Sequence, residues 1–127
     1  MSEIRTLIVD DSSVMRKIVE RSLRQAGLDP LVVYEAGSGI EGLDVLRAKP
    51  VDLILSDINM PSMDGLEFLR QIRALNLAPG FPVVMSTTES SEEHVKQAIM
   101  AGAQGYIRKP FTAEQVKERV LPLVHAA

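Results

Sequence analysis

Five times along this chain a short apolar run, strand-like in length, is followed by a longer segment whose apolar residues recur at helical spacing. That alternation leaves few folds open. Strands joined through helices run parallel, and a parallel sheet needs both faces covered. The expected class is therefore α/β, a five-stranded parallel sheet wound on both faces with right-handed crossovers.

The elements read off in order. Ile4–Val9 is the first strand, and Ser13–Ala26 is a helix with Met15, Ile18, Val19, Ser22, Leu23 and Ala26 along one face, stopped by Gly27. Leu31–Glu35 is the second strand. Ser38 and Glu41 form a capping box for a helix with Ile40, Leu43 and Leu46 inward, ending before Pro50. Asp52–Ser56 is the third strand, its Leu53-Ile54-Leu55 run fit for burial on both faces. A loop over Asp57–Asp64 leads into a helix carrying Leu66, Leu69, Ile72 and Leu75. Pro82–Ser86 is the fourth strand, followed by a capping box at Ser90–Glu93 and a helix with Val95, Ala98 and Ile99 that Gly102 stops. Gly105–Arg108 is the fifth strand, and a third capping box from Thr112 opens a helix with Val116, Val120, Leu123 and Val124.

Composition excludes several classes. The 127 residues include no cysteine, so there is neither a disulfide framework nor thiol chemistry, which fits a cytoplasmic protein. A net charge of −3 without a Lys/Arg run argues against nucleic-acid binding. No apolar run is long enough to span a membrane, and the N-terminus carries no apolar signal core.

In open parallel sheets, ligands bind beyond the carboxyl ends of the strands. Those ends carry Asp10 and Asp11, then Asp57, then Thr87 and Thr88, then Lys109. Taken singly, each has an ordinary explanation: a helix N-cap for the paired aspartates or the threonine, a turn for Asp57, solvated surface for Lys109. Together they make a constellation. Three packed carboxylates repel, and a cation relieves them. Carboxylate oxygens suit a hard ion such as Mg²⁺, which keeps sites for water and phosphate oxygens. Lys109 adds positive charge and Thr87 a hydrogen-bond donor. Phosphoryl transfer asks for this kind of charge neutralisation, with one carboxylate as nucleophile.

Three stretches carry a more specific signal: Leu7-Ile8-Val9-Asp10-Asp11-Ser12, Asp57-Ile58-Asn59-Met60-Pro61-Ser62-Met63-Asp64-Gly65, and Gly105-Tyr106-Ile107-Arg108-Lys109-Pro110-Phe111, with Ser86-Thr87 between the last two. On these the chain, over residues 1–127, resembles a single response-regulator receiver domain of two-component signalling, most like the stand-alone chemotaxis members. The resemblance implies a flavodoxin-like sheet in strand order 2-1-3-4-5. It implies Asp57 as phosphoryl acceptor, with Mg²⁺ held by Asp11, Asp57 and the backbone carbonyl of Asn59 and reached by Asp10 through water. Lys109 would pair with the phosphoryl group, Thr87 would move toward it, Tyr106 would swing inward, and the Lys109–Pro110 bond would be cis. Asn59 and Glu89 would tune the phosphorylated lifetime. The family usually carries Ala or Gly after Thr87; Thr88 is β-branched, and would narrow the path to Asp57.

The implied partners are a histidine kinase as donor and a downstream protein, of the kind a flagellar motor switch protein represents. That protein would dock on the fourth helix, fifth strand and fifth helix. The chain reads as a monomeric switch rather than an enzyme, catalysing only its own phosphorylation and dephosphorylation. It ends just after the last helix, so its output is expected to be protein binding. A metal-dependent phosphatase would want a second acid–base aspartate near position 59, which is Asn. A flavodoxin-like cofactor binder would want a Ser/Thr/Gly-rich loop where Asp10-Asp11 stands. A receiver used only as an unphosphorylated docking module would not need the whole set. His94 and His125 read as surface helix residues.

Overall fold

The structure is a computed structural model that describes residues 3–28, 31–58, 60, 63–75, 77, 82–87, 96–97, 99–108 and 112–124. Its strands are β1 (Ile4–Val9), β2 (Leu31–Ala36), β3 (Leu53–Asp57), β4 (Val83–Thr87) and β5 (Gly105–Arg108). They form one five-stranded sheet in the order β2-β1-β3-β4-β5, every neighbouring pair parallel. This is the order the resemblance implied. Helices α1 (Ser13–Gln25), α2 (Gly39–Ala48) and α3 (Gly65–Ala74) follow the first three strands, and a C-terminal helix spans Ala113–Arg119. Between β4 and β5 the described residues Lys96, Gln97, Ile99 and Met100 are helical; the capping box at Ser90–Glu93, with Val95 and Ala98, lies outside the described residues.

Strand alternation builds two cores, one on each face. In β1, Leu7 and Val9 pack with Leu43 of α2 and with Phe68, Leu69 and Ile72 of α3. Ile8 faces the other way, onto Val19 and Leu23 of α1 and Val116 of the C-terminal helix. Leu53, Ile54 and Leu55 are all buried, split between the two cores as the continuous apolar run implied. α1 lies on the same face as the C-terminal helix, and α2 on the same face as α3.

Several boundaries move. β2 extends to Ala36, while β3 and β4 each begin and end one residue later than the sequence suggested. Asp52 is not in the ladder because it forms a two-pronged ion pair with Arg5: Nε to Oδ2 at 3.1 Å and Nη2 to Oδ1 at 3.2 Å. Gly27 and Gly102 stop their helices as expected, at φ of 100° and 105°, where a side chain would be strained. The last helix does not run through. It breaks at Val120 and resumes as a short turn at Leu121–Val124, because Pro122 has no N–H to donate and disfavours helical backbone before it.

Four residues read as part of apolar helix faces are exposed, Leu75 at the end of α3 among them. Ile18 retains 38% of its surface, Ile40 55% and Ile99 55%. In α2 the buried positions are Gly39, Gly42 and Leu43, and residue 40 is rotated about 100° past Gly39, out of the stripe. Ile18 sits at the rim of the stripe formed by Val19, Ser22 and Leu23. The expected capping box of α2 is also altered. Ser38 Oγ accepts the Glu41 N–H at 3.2 Å, but the Glu41 carboxylate accepts from Gly37 N–H at 2.7 Å rather than from Ser38.

Thr6 in β1 is fully buried, and among the described residues its hydroxyl has no hydrogen-bond partner. A buried unpaired hydroxyl costs free energy that an apolar group of the same shape does not. Thr6→Val is therefore expected to raise the urea-unfolding free energy by about 1 kcal/mol; a variant no more stable than the parent would show that the hydroxyl finds a partner.

Candidate functional site

The site begins with register. Val9 of β1 is paired with Ser56 of β3, so the next residue along each adjacent strand is Asp10 and Asp57 respectively. Alternation turns both toward the face of Ile8 and Leu55. Asp57 is the last residue of β3, with Ser86 of β4 on its other side. Asp10 is 3% exposed and Asp57 5%, whereas Asp11 is exposed. One carboxylate oxygen from each of the three lies within 4.8 Å of the others.

The ordinary explanation for the aspartate pair does not hold. The N-cap of α1 is Ser12, whose Oγ accepts the Met15 N–H at 3.1 Å. Asp10 instead closes a local turn, its Oδ1 accepting the Ser12 N–H at 2.9 Å. Both aspartates are thus placed ahead of the helix, at the sheet edge. Like charges at such spacing repel by roughly 1 kcal/mol in water and by several in a partly desolvated site. An all-oxygen, triply acidic donor set of this size fits a hard divalent cation.

Basic residues flank the cluster on the β2 side. Arg16 of α1 donates from Nη1 to the backbone carbonyl of Asp10 at 2.6 Å and from Nε to Glu35 of β2 at 2.9 Å. Lys17 donates to the other Glu35 oxygen at 2.7 Å. The Lys17 hydrogen bond holds the Glu35 carboxyl below its ordinary range; partial burial opposes this, and Arg16 adds to it.

On the other side of Asp57, Thr87 ends β4 one residue past Ser86 and opposite Arg108 of β5. Tyr106 is half-buried, with the Arg119 guanidinium 4.9 Å from its ring centre. These two, with Arg108 and Gln115, line a shallow concavity of about 270 Å³. The structure thus gathers Asp10, Asp11 and Asp57. Asn59, Thr88, Glu89 and the Lys109–Pro110 bond lie outside the described residues, as does the Thr87 side chain.

Two neighbours had no role in the sequence reading. In the sequence Arg16 is one polar residue among several on an amphipathic helix. Gly65 opens α3 directly against the backbone of Asp57. A Cβ there would collide with the Asp57 carbonyl, the Met85 methyl and the Ile58 Cα. Its N–H bonds the Ile58 carbonyl at 2.8 Å. Only the Asp-Gly pair hinted at this close approach.

A parallel sheet in this order with three carboxylates at the β1 and β3 ends defines a class. Residues 6–121 match the response regulator receiver domain, and the chain belongs to that family. It is a receiver of the CheY-like kind, the signalling switch of two-component systems. It is 41% identical over 117 residues to chemotaxis protein CheY-3 of Vibrio cholerae, covering 92% of this chain and 88% of that protein. It is 40% identical over 118 residues to a chemotaxis protein CheY homolog of Campylobacter jejuni, covering 92% and 89%. Among solved structures, Vibrio cholerae CheY4 superposes with a TM-score of 0.81 at 35% identity, covering 92% of this chain and 95% of that one. A CheY-like receiver from Methanospirillum hungatei gives 0.79 at 32%, covering 92% and 90%. No helix among the described residues is long and apolar enough to cross a membrane.

Gly65→Ala should force α3 away from the end of β3. The expected loss is about 1–3 kcal/mol in denaturant unfolding, the usual scale of overpacking. Parental stability would mean that the Asp57–Gly65 approach is not tight.

Proposed function

We propose that residues 1–127 act as one receiver domain that accepts a phosphoryl group on Asp57 from a histidine kinase. The observation that carries this is the convergence of the Asp10, Asp11 and Asp57 oxygens within 4.8 Å at a sheet edge, two of the three carboxylates being nearly buried. Asp10, Asp11, Asp57 and the Asn59 carbonyl would hold Mg²⁺. When bound, Mg²⁺ supplies positive charge that offsets the three carboxylates and the incoming phosphoryl oxygens.

The chain's own residues do the rest. An Asp57 carboxylate oxygen attacks phosphorus in line. A P–O bond forms, the P–N bond of the donor phosphohistidine breaks, and the imidazole leaves with the electron pair and is reprotonated. Lys109 takes up charge on the transferred group. Thr87 donates a hydrogen bond to it, and Tyr106 moves into the space Thr87 vacates. Hydrolysis reverses the state: water attacks phosphorus, the acyl phosphate opens and Asp57 returns. Asn59, Thr88 and Glu89 would tune the rate of that attack and so the lifetime. The buried setting of Asp57 supports this division, since a nearly enclosed nucleophile leaves the rate to the groups at its mouth.

Phosphorylation then acts by population shift, with the dianion binding one conformation better than the other. The output is docking of a downstream protein on the surface around Tyr106, between the helix that precedes β5 and the one that follows it. The naming of the relatives above supports a chemotaxis or motility pathway, with a flagellar motor switch protein as the kind of target. The switch would work as a cytoplasmic monomer.

The test is intact-mass measurement after incubation with Mg²⁺ and acetyl phosphate. The parent should gain one PO₃ unit that is lost with time, and neither Asp57→Asn nor the parent in excess chelator should gain it. Equal labelling of Asp57→Asn would overturn the assignment.

A further inference from the structure

Arg16 lies in the first turns of α1, and helical side chains lean back toward the N-terminus. Its guanidinium therefore returns over the loop that carries the aspartates. One prong meets the Asp10 carbonyl at 2.6 Å, and Nε meets Glu35 at 2.9 Å. This is not a loose surface pair: the Arg16 side chain is 17% exposed and Glu35 28%, against 66% for Lys17 and 54% for Arg47 in other ion pairs. Glu35 is anchored from a second side by Lys17.

The geometry matters because the Asp10 carbonyl and the Asp11 N–H belong to one rigid peptide plane. Fixing that carbonyl fixes the plane from which the Asp11 side chain projects. The turn that engages Asp10 Oδ1 with the Ser12 N–H spans the same plane. A planar guanidinium reaches two acceptors at once in fixed directions, which an ammonium does not.

We infer that Arg16, braced by Glu35, is a positioning residue that orients the Asp10–Asp11 peptide for cation binding. The inference rests on the cation site proposed above and adds a residue to it. It also makes a counterintuitive sign prediction. As a mere neighbouring positive charge, Arg16 would weaken Mg²⁺ binding, and its removal would tighten it. As a positioning residue its removal loosens the donor set and weakens binding.

Calorimetric titration with Mg²⁺, well below the melting temperature, reads this directly; the chain has no tryptophan to report it by fluorescence. Arg16→Gln should weaken Mg²⁺ affinity about tenfold, the scale for groups that orient metal ligands. Arg16→Lys should restore only part of it, despite keeping the charge. Glu35→Gln should weaken binding in the same direction by less, and the double variant should match Arg16→Gln alone. Unchanged or tighter binding in Arg16→Gln, with the parent binding Mg²⁺ normally, would overturn the inference. If Arg16→Gln does not fold, Glu35→Gln decides, and parental affinity there overturns it equally. A parent that does not bind Mg²⁺ would instead defeat the proposed function itself.

Discussion

Like-charge repulsion at the end of two adjacent parallel strands is the constraint around which the rest of the structure is arranged. The register of β1 and β3 sets Asp10 beside Asp57, and the following residue brings Asp11 within reach. Holding them there costs folding free energy in the absence of a cation. The fold supplies that from the two apolar cores above and below the sheet, where β3 and residues 6–9 of β1 are buried. Charge is confined to the strand ends, and stability comes from the strand centres.

The surroundings of the cluster follow from the same constraint. Ser12 caps α1, so the aspartates are not committed as the helix cap. Gly65 lets α3 start against the backbone of Asp57, which keeps that carboxylate enclosed. Arg16 ties the Asp10 carbonyl to β2. On the opposite edge, Tyr106 under Arg119 lies one strand beyond Thr87. That puts Tyr106 two strands from Asp57, with β4 as the physical connection between them.

Much of this was legible in the residues. The parallel sheet followed from apolar runs alternating with helical periods, and the carboxylate cluster from which residues end those runs. What escaped reading depended on neighbours distant in sequence. Asp52 left the third strand because Arg5 claims it. Ile40 is exposed because α2 turns its glycine face inward, where Phe68 and Met63 press close, and no periodicity of large apolar residues reveals a stripe made of glycine. Pro122 interrupts the last helix, a local signal that the run of apolar residues through Val124 masked. The Arg16 contact joins residues on three elements, so only their assembly shows it.

The most direct measurement is the thermal stability of the parent and Asp11→Asn, each with and without Mg²⁺. Repulsion relieved by a shared cation predicts two opposite effects from one substitution. Without Mg²⁺, Asp11→Asn should melt at or above the parent, because one of three crowded charges is gone. With Mg²⁺, the parent's melting temperature should rise while that of Asp11→Asn rises much less, since stabilisation scales with affinity for the folded state. An equal Mg²⁺-induced rise in both proteins would contradict a cation held by these three carboxylates.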